Sequence, residues 1–275
     1  MSAGAAALAL QYLPRTAWAQ DEEKQPVWLS GNPSQGGLVI GRAGTGSRIW
    51  LNDEPLRVND GLFCFGFGRD DTKTVRVRIV YRDGRVETRD VKPAKRDFPT
   101  QRITGLPEKF VSPPKSVAEQ IERDSRAVGI ARRHDTGETW FADKFGWPVV
   151  GPITGVYGSQ RILNGEPRAP HYGMDIAAPE GTPIKAPVDA IVRLAAGLYF
   201  SGYTMVLDHG HGVSTSYLHM SRMDVKQGDR VRAGEQIGLV GQTGRATGPH
   251  LCWRLNWFQT RLDVSLLAPP RSNRA

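Results

Sequence analysis

Thr247-Gly-Pro-His-Leu-Cys-Trp-Arg-Leu255 decides how the C-terminal half of this chain is read. Glycine and proline close a loop, and from His250 the residues alternate with period two. Successive side chains of an extended strand point to opposite faces. His250 and Cys252 therefore share one face, while Leu251, Trp253 and Leu255 share the other and point towards a core. Neutral imidazole and thiolate are both good zinc ligands. Taken alone, the pair fits a satisfied core histidine beside an inert buried cysteine better than a metal site.

A second pair lies upstream. His171-Tyr-Gly-Met-Asp175 sets an imidazole and a carboxylate four residues apart. On an extended strand, residues 171, 173 and 175 face the same way, and Gly173 between them leaves room for an ion. Tyr217-Leu-His219-Met-Ser221 adds a histidine at the end of a Val/Thr/Ser strand. Asp208-His-Gly-His-Gly212 imitates a metal-binding strand, but its composition is that of a turn. His209 and His211 are read as a hairpin tip, with a place on a substrate rim as the alternative.

Working outward, the 275 residues suit one large domain or two modest ones. The 31 glycines and 19 prolines are scattered among short Val/Ile/Leu runs, which favours a β-rich chain with many turns. Val75, Val77 and Ile79 alternate with Arg76 and Arg78, and Asp83-Gly84 follows as a hairpin signal. Phe63, Phe65 and Phe67 share a strand face, with Cys64 turned the other way as a small buried hydrophobe. Residues 27–98 are thus expected to form a small β-sandwich-like domain of immunoglobulin type.

Residues 99–139 read as a connector. Its first part is proline-rich and polar. Ser116-Val-Ala-Glu119 is a capping-box pattern opening a helix over 116–133, with Val117, Ile121 and Val128 on one side. Arg132-Arg133-His134 is read as its solvated end. Residues 140–270 return to short strands and glycine turns. Ser2–Leu10 followed by Ala17-Trp-Ala19 resembles the end of a secretory signal over residues 1–19, although a basic opening segment is missing. Export to the periplasm or cell envelope is expected, and no segment is long and apolar enough to be transmembrane.

The net charge of +8 attracts polyanions. The Lys and Arg residues are spread along the chain, and no nucleic-acid-binding motif accompanies them, so nucleic acid is not expected as a partner. Two distant cysteines, Cys64 and Cys252, do not make a disulfide framework.

Together, H-x-G-x-D at 171–175, Tyr217-Leu-His219, Gly228-Asp-Arg-Val-Arg-Ala-Gly234, Ile237-Gly-Leu-Val-Gly241 and Thr247-Gly-Pro-His-Leu251 resemble the M23 (lysostaphin/LytM-like) peptidoglycan metalloendopeptidases. The resemblance covers roughly residues 146–268. It implies a compact antiparallel β domain with the site in a groove across one sheet. It implies zinc as cofactor, peptidoglycan cross-links as substrate, and cell-wall synthesis or division proteins as candidate partners. A D-amino-acid cross-link is expected over an oligoglycine bridge in a Gram-negative host. His171 and Asp175 match the family's first two metal ligands, and His219 and His250 match its two catalytic histidines. The third ligand position holds Cys252 where the family has histidine. An H/D/C zinc site is therefore expected, with a degenerate activator of other wall hydrolases as the alternative. Arg161, Asn164 and Arg168 are candidates to line the groove and meet peptide carboxylates, or else belong to a solvated loop.

Overall fold

The computed structural model describes residues 28–270, so the reading of residues 1–19 as a signal lies outside the described residues. Seven short strands come first: β1 (Trp28–Gly31), β2 (Leu38–Arg42), β3 (Arg48–Leu51), β4 (Glu54–Leu56), β5 (Leu62–Gly66), β6 (Val75–Val80) and β7 (Val86–Val91). They form two sheets, ordered β1-β2-β5 and β4-β3-β6-β7. The Val/Arg alternation of β6 sends Val77 and Ile79 inward against Val39, Phe63, Phe65 and Phe67. Each fully buried apolar side chain of this size contributes about 2 kcal/mol. Cys64 points the other way, into a second core beneath the C-terminal sheet. The sheet β1-β2-β5 therefore has a face in each of two cores.

The proline-rich stretch holds more than a linker. β8 (Thr100–Ile103) and the short helix α1 (Glu108–Val111) lie within it. A 3-10 turn over Lys115–Val117 then leads into α2 (Ala118–Ala131). The capping box does not form. Pro114, at φ −66°, starts the turn at Lys115, so Ser116 lies inside it and Val117 becomes the cap residue with no side-chain bond. Ala127, Val128 and Ala131 of α2 pack on Leu194 and Val206. Arg132 is not a solvated helix end, because this packing buries it.

Twelve strands follow: β9 (Ile153–Gly155), β10 (Gln160–Leu163), β11 (Glu166–Arg168), β12 (Met174–Ala177), β13 (Pro183–Lys185), β14 (Ala190–Leu198), β15 (Gly202–Asp208), β16 (Val213–Met223), β17 (Arg230–Val231), β18 (Gln236–Val240), β19 (His250–Trp257) and β20 (Thr260–Leu262). The principal sheet runs β17-β14-β15-β16-β19-β12-β9, with β18 also on β16 and β20 on β19. Its pairings are antiparallel, and the fold is mainly β. Ile176, Leu207, Tyr217, Leu251, Trp253 and Leu255 fill the core on one face. On the side of the groove, β8 pairs in parallel with β10, which pairs with β11.

Candidate metal and catalytic site

The opposite face of the principal sheet carries the candidate site residues. β12 and β19 are neighbours in a register that sets Asp175 directly across from Cys252. Leu251, Trp253 and Leu255 go down into the core, fully buried, while His250, Cys252 and Arg254 take the other face. His171 does not arrive by strand alternation. β12 begins only at Met174, and the chain bends at Gly173. The His171 backbone is pinned to the preceding turn, its N–H donating to Ser159 O (2.8 Å) and its carbonyl accepting from Gly158 N (2.6 Å). Gly173 lies close against the side chains of β19. A Cβ there would stand 2.7 Å from Arg254 Cγ and 3.0 Å from Cys252 Sγ, so the glycine lets the side chains of β19 close against the bend.

The ligand atoms of His171, Asp175 and Cys252 lie within 4.8 Å of one another. His171 Nε2 is 3.1 Å from Asp175 Oδ1 and 3.4 Å from Cys252 Sγ. Asp175 Oδ1 is buried and has no hydrogen-bond partner among the described residues. A buried carboxylate oxygen without a donor is costly, and a cation shared with the imidazole and the sulfur would satisfy it. The nitrogen, oxygen and sulfur donors suit zinc.

Each acidic donor has an arginine beside it. Arg161 Nη2 donates to Asp175 Oδ2 at 2.9 Å, and Arg254 Nε lies 3.4 Å from Cys252 Sγ. Burial pushes the Cys252 thiol up to about 11, partly opposed by Arg254. Burial acts to raise the Asp175 carboxyl too, but His171, Arg161 and His250 outweigh it and hold it well below the usual carboxylate range. Burial lowers His171 below the ordinary histidine value, with Asp175 opposing.

His219 owes its place to an irregularity. β16 pairs Tyr217 with Met205 and then Met220 with Tyr203, so one extra residue bulges from β16. His219 sits in that bulge at φ 66°, a left-handed conformation that side-chain-bearing residues seldom adopt. Its Nδ1 is 2.8 Å from Thr243 O, and His250 Nδ1 is 2.8 Å from Gly248 O. A carbonyl can only accept, so each Nδ1 carries the proton and each Nε2 is left as a lone pair when the ring is neutral. The two rings are 4.8 Å apart, and His250 Nε2 is 3.9 Å from Asp175 Oδ1. Burial, followed by the neighbouring His250, takes His219 down to about 3.

Asp175, His219, His250 and Arg161 line one cavity of about 300 Å³, walled on one side by Gln101, Ile103 and Leu106. Asn164 and Arg168 stand outside that lining. The Asn164 amide bonds both ways to the Leu106 backbone (3.2 and 2.8 Å), and Arg168 reaches Ser112 at 3.5 Å. His209-Gly-His211 forms the turn between β15 and β16. It is buried, with Phe141 N–H donating to His209 O and His211 N–H to Thr136 O. Both cysteines are free. Sequence reading missed Arg245, which lines the cavity, and Arg254. The same alternation that pairs His250 with Cys252 would have found Arg254.

Residues 169–264 match the model of peptidase family M23. Over 87 residues the chain is 45% identical to the peptidoglycan DD-endopeptidase ShyA of Vibrio cholerae, covering 32% of this chain and 20% of that protein. Over 81 residues it is 46% identical to the DD-carboxypeptidase/endopeptidase Mpg of Neisseria meningitidis, covering 30% and 19%. The matched stretch thus spans about a fifth of the length of these curated relatives. Among solved structures, a candidate M23 peptidase from Pseudomonas aeruginosa superposes with a TM-score of 0.66 at 25% identity, covering 87% of this chain and 96% of that one. That likeness takes in N-terminal strands as well as the C-terminal sheet. The stretch that matches peptidase family M23, residues 169–264, carries all five of the positions built around Asp175.

Proposed function

We propose that this chain is a zinc-dependent endopeptidase that hydrolyses peptide cross-links of peptidoglycan. His171, Asp175 and Cys252 are its metal ligands, and His219 and His250 its catalytic histidines. The observation that carries this reading is the convergence of three unlike donor atoms within 4.8 Å, beside two imidazoles whose Nδ1 atoms are tied to backbone carbonyls. The names of ShyA and Mpg support the substrate and favour a D,D cross-link. The net charge of +8 suits an anionic wall polymer. A wall substrate implies work outside the cytoplasm, in the periplasm or envelope. No helix among the described residues is long and apolar enough to cross a membrane.

When bound, zinc would supply Lewis acidity towards the scissile carbonyl and lower the pKa of a water towards neutrality. The chain's own groups do the remaining work. Nε2 of His219 or His250 accepts the proton of the attacking water, and the imidazolium so formed returns it to the leaving nitrogen. A neutral ring is required at the start, and burial keeps His219 neutral at pH 7. The carbonyls of Thr243 and Gly248 fix the tautomers. Arg161 fixes the Asp175 carboxylate, so that Oδ1 alone turns towards His171.

Cys252 brings a second negative charge to the ligand set and weakens the Lewis acid. It is also the one feature that favours a degenerate regulator of other wall hydrolases. Metal analysis, hydrolysis of purified wall material and a Cys252→His variant test both readings. Stoichiometric zinc and turnover in both proteins are expected. Zinc-free wild-type protein would overturn the zinc-enzyme reading, and undiminished turnover in His250→Ala would overturn the catalytic role of that histidine. Activity that appears only in Cys252→His would establish the degenerate one.

A further inference from the structure

Arg132 closes α2, is 9% exposed, and forms no ion pair among the described residues. Its Nη2 reaches Ser216 Oγ at 3.5 Å, and its Nε has no hydrogen-bond partner. Strand register explains its neighbours. Ser216 of β16 pairs with Arg254 of β19, so Arg254 continues the face of Cys252 towards Arg132. Arg261 approaches from β20. Burial, followed by repulsion from Arg254 and Arg261, disfavours the Arg132 charge. A buried cation surrounded by cations is costly unless an anion joins it.

These residues line a cavity of about 360 Å³ between α2 and the sheet. Arg161 and Arg245 also line it, against a single carboxylate, Asp124. That carboxylate already accepts from Tyr199 N at 2.6 Å. Of the five arginines, only Arg161 has an acidic partner among the described residues, namely Asp175. Arg161, His219 and Arg245 line both this cavity and the one holding the candidate catalytic histidines, so the two adjoin. The space admits a terminal amino-acid residue rather than only a bare ion.

We propose that this cavity is a carboxylate-binding subsite, which takes a free carboxylate of the substrate peptide next to the bond being cut; the inference rests on the peptidase reading above. The planar guanidinium fork of Arg132 matches a carboxylate bidentately, and Arg254 and Arg261 supply the surrounding positive field. The relative Mpg is named a carboxypeptidase as well as an endopeptidase, and a carboxypeptidase acts on a peptide that ends in a free carboxylate.

The test is titration calorimetry on the zinc-loaded full chain with acetyl-D-Ala-D-Ala, its C-terminal amide, and inorganic phosphate. The acid is expected to bind at least about tenfold more tightly than the amide. Arg261→Gln, at an exposed position, and Arg132→Lys, which keeps the charge but removes the fork, should each remove most of that preference. Zinc affinity should stay unchanged in both variants, which separates the arginines from a carboxylate bound to the metal. Equal binding of acid and amide, or a preference that survives in both variants, overturns the subsite. Phosphate binding that is lost in the same variants, without binding of the acid, overturns it too and reassigns the cavity to a free oxyanion. Turnover of wall material, measured in parallel, keeps the two proposals apart. An active enzyme with no acid preference defeats the subsite alone, and an inactive protein that holds the acid through Arg132 and Arg261 defeats the peptidase reading alone.

Discussion

Zinc binding to this protein should release one proton near neutral pH. Of the three candidate ligands only Cys252 is protonated there, because burial pushes its thiol up to about 11. His171 is lowered by burial and is neutral, and Asp175 lies well below the usual carboxylate range and is ionised. The thiol therefore titrates about four units above pH 7, and ionising it costs about 5 kcal/mol that the metal–thiolate bond must offset. The observed zinc affinity should rise about tenfold per pH unit, about 1.4 kcal/mol each, from roughly pH 6.5 to 8.5. Titration calorimetry in two buffers of different ionisation enthalpy gives the proton count directly. Wild-type protein should release about one proton per zinc. Cys252→His should release close to none at pH 7.5, since an ordinary imidazole, with a pKa of about 6.5, is already neutral there. Tight stoichiometric binding without proton release in the wild type would refute the thiolate ligand and the reasoning from its burial.

Gly173→Ala places a methyl 3.0 Å from Cys252 Sγ, inside the roughly 3.6 Å of ordinary contact, so the sulfur must shift by about half an ångström. Metal sites tolerate about 0.2 Å, and zinc affinity should fall about 10- to 100-fold with the circular dichroism unchanged; unaltered affinity would argue against the sulfur as a ligand. His209 is buried with its Nδ1–H on Asp189 O (3.1 Å) and its Nε2 accepting from Thr215 Oγ1 (2.7 Å). Burial lowers it to about 4. Its contribution to stability should be complete above about pH 6.5 and decline as the pH falls towards 4, by up to about 3 kcal/mol, and urea midpoints across that range should flatten in His209→Asn. Asn164→Ala removes both bonds to Leu106 and leaves alanine at φ 48°. It should cost about 1–3 kcal/mol and expose the groove wall to limited proteolysis; Asn164→Gly should recover only the backbone part.

How far the sequence could be read follows from how local each signal is. The period of residues 250–255 and the β6 alternation are properties of neighbouring residues, and both appear in the strands as read. The expectation for His171 came from the same period and failed, since Gly173 bends the chain before β12 begins. The capping box failed for a similar local reason, with Pro114 setting the turn one step earlier. The proline-rich stretch concealed β8, because that strand is defined by pairing with β10 rather than by its own composition.

By itself, the sequence determined a mainly β chain and the residue types able to hold zinc and move protons. It also determined, through motif order and spacing, the resemblance that the family match later bore out. Only the tertiary structure decided which of these residues meet. The register of β12 on β19 sets Asp175 across from Cys252. A bulge in β16, with nothing in its residues to announce it, turns His219 towards His250. The packing of α2 on the sheet turns a helix-end arginine into a buried charge with no acidic partner among the described residues. The physical reason is common to all three. Strand register and burial depend on partners distant in the chain, so they are fixed by the lowest free energy of the whole packed core rather than by any local run of residues.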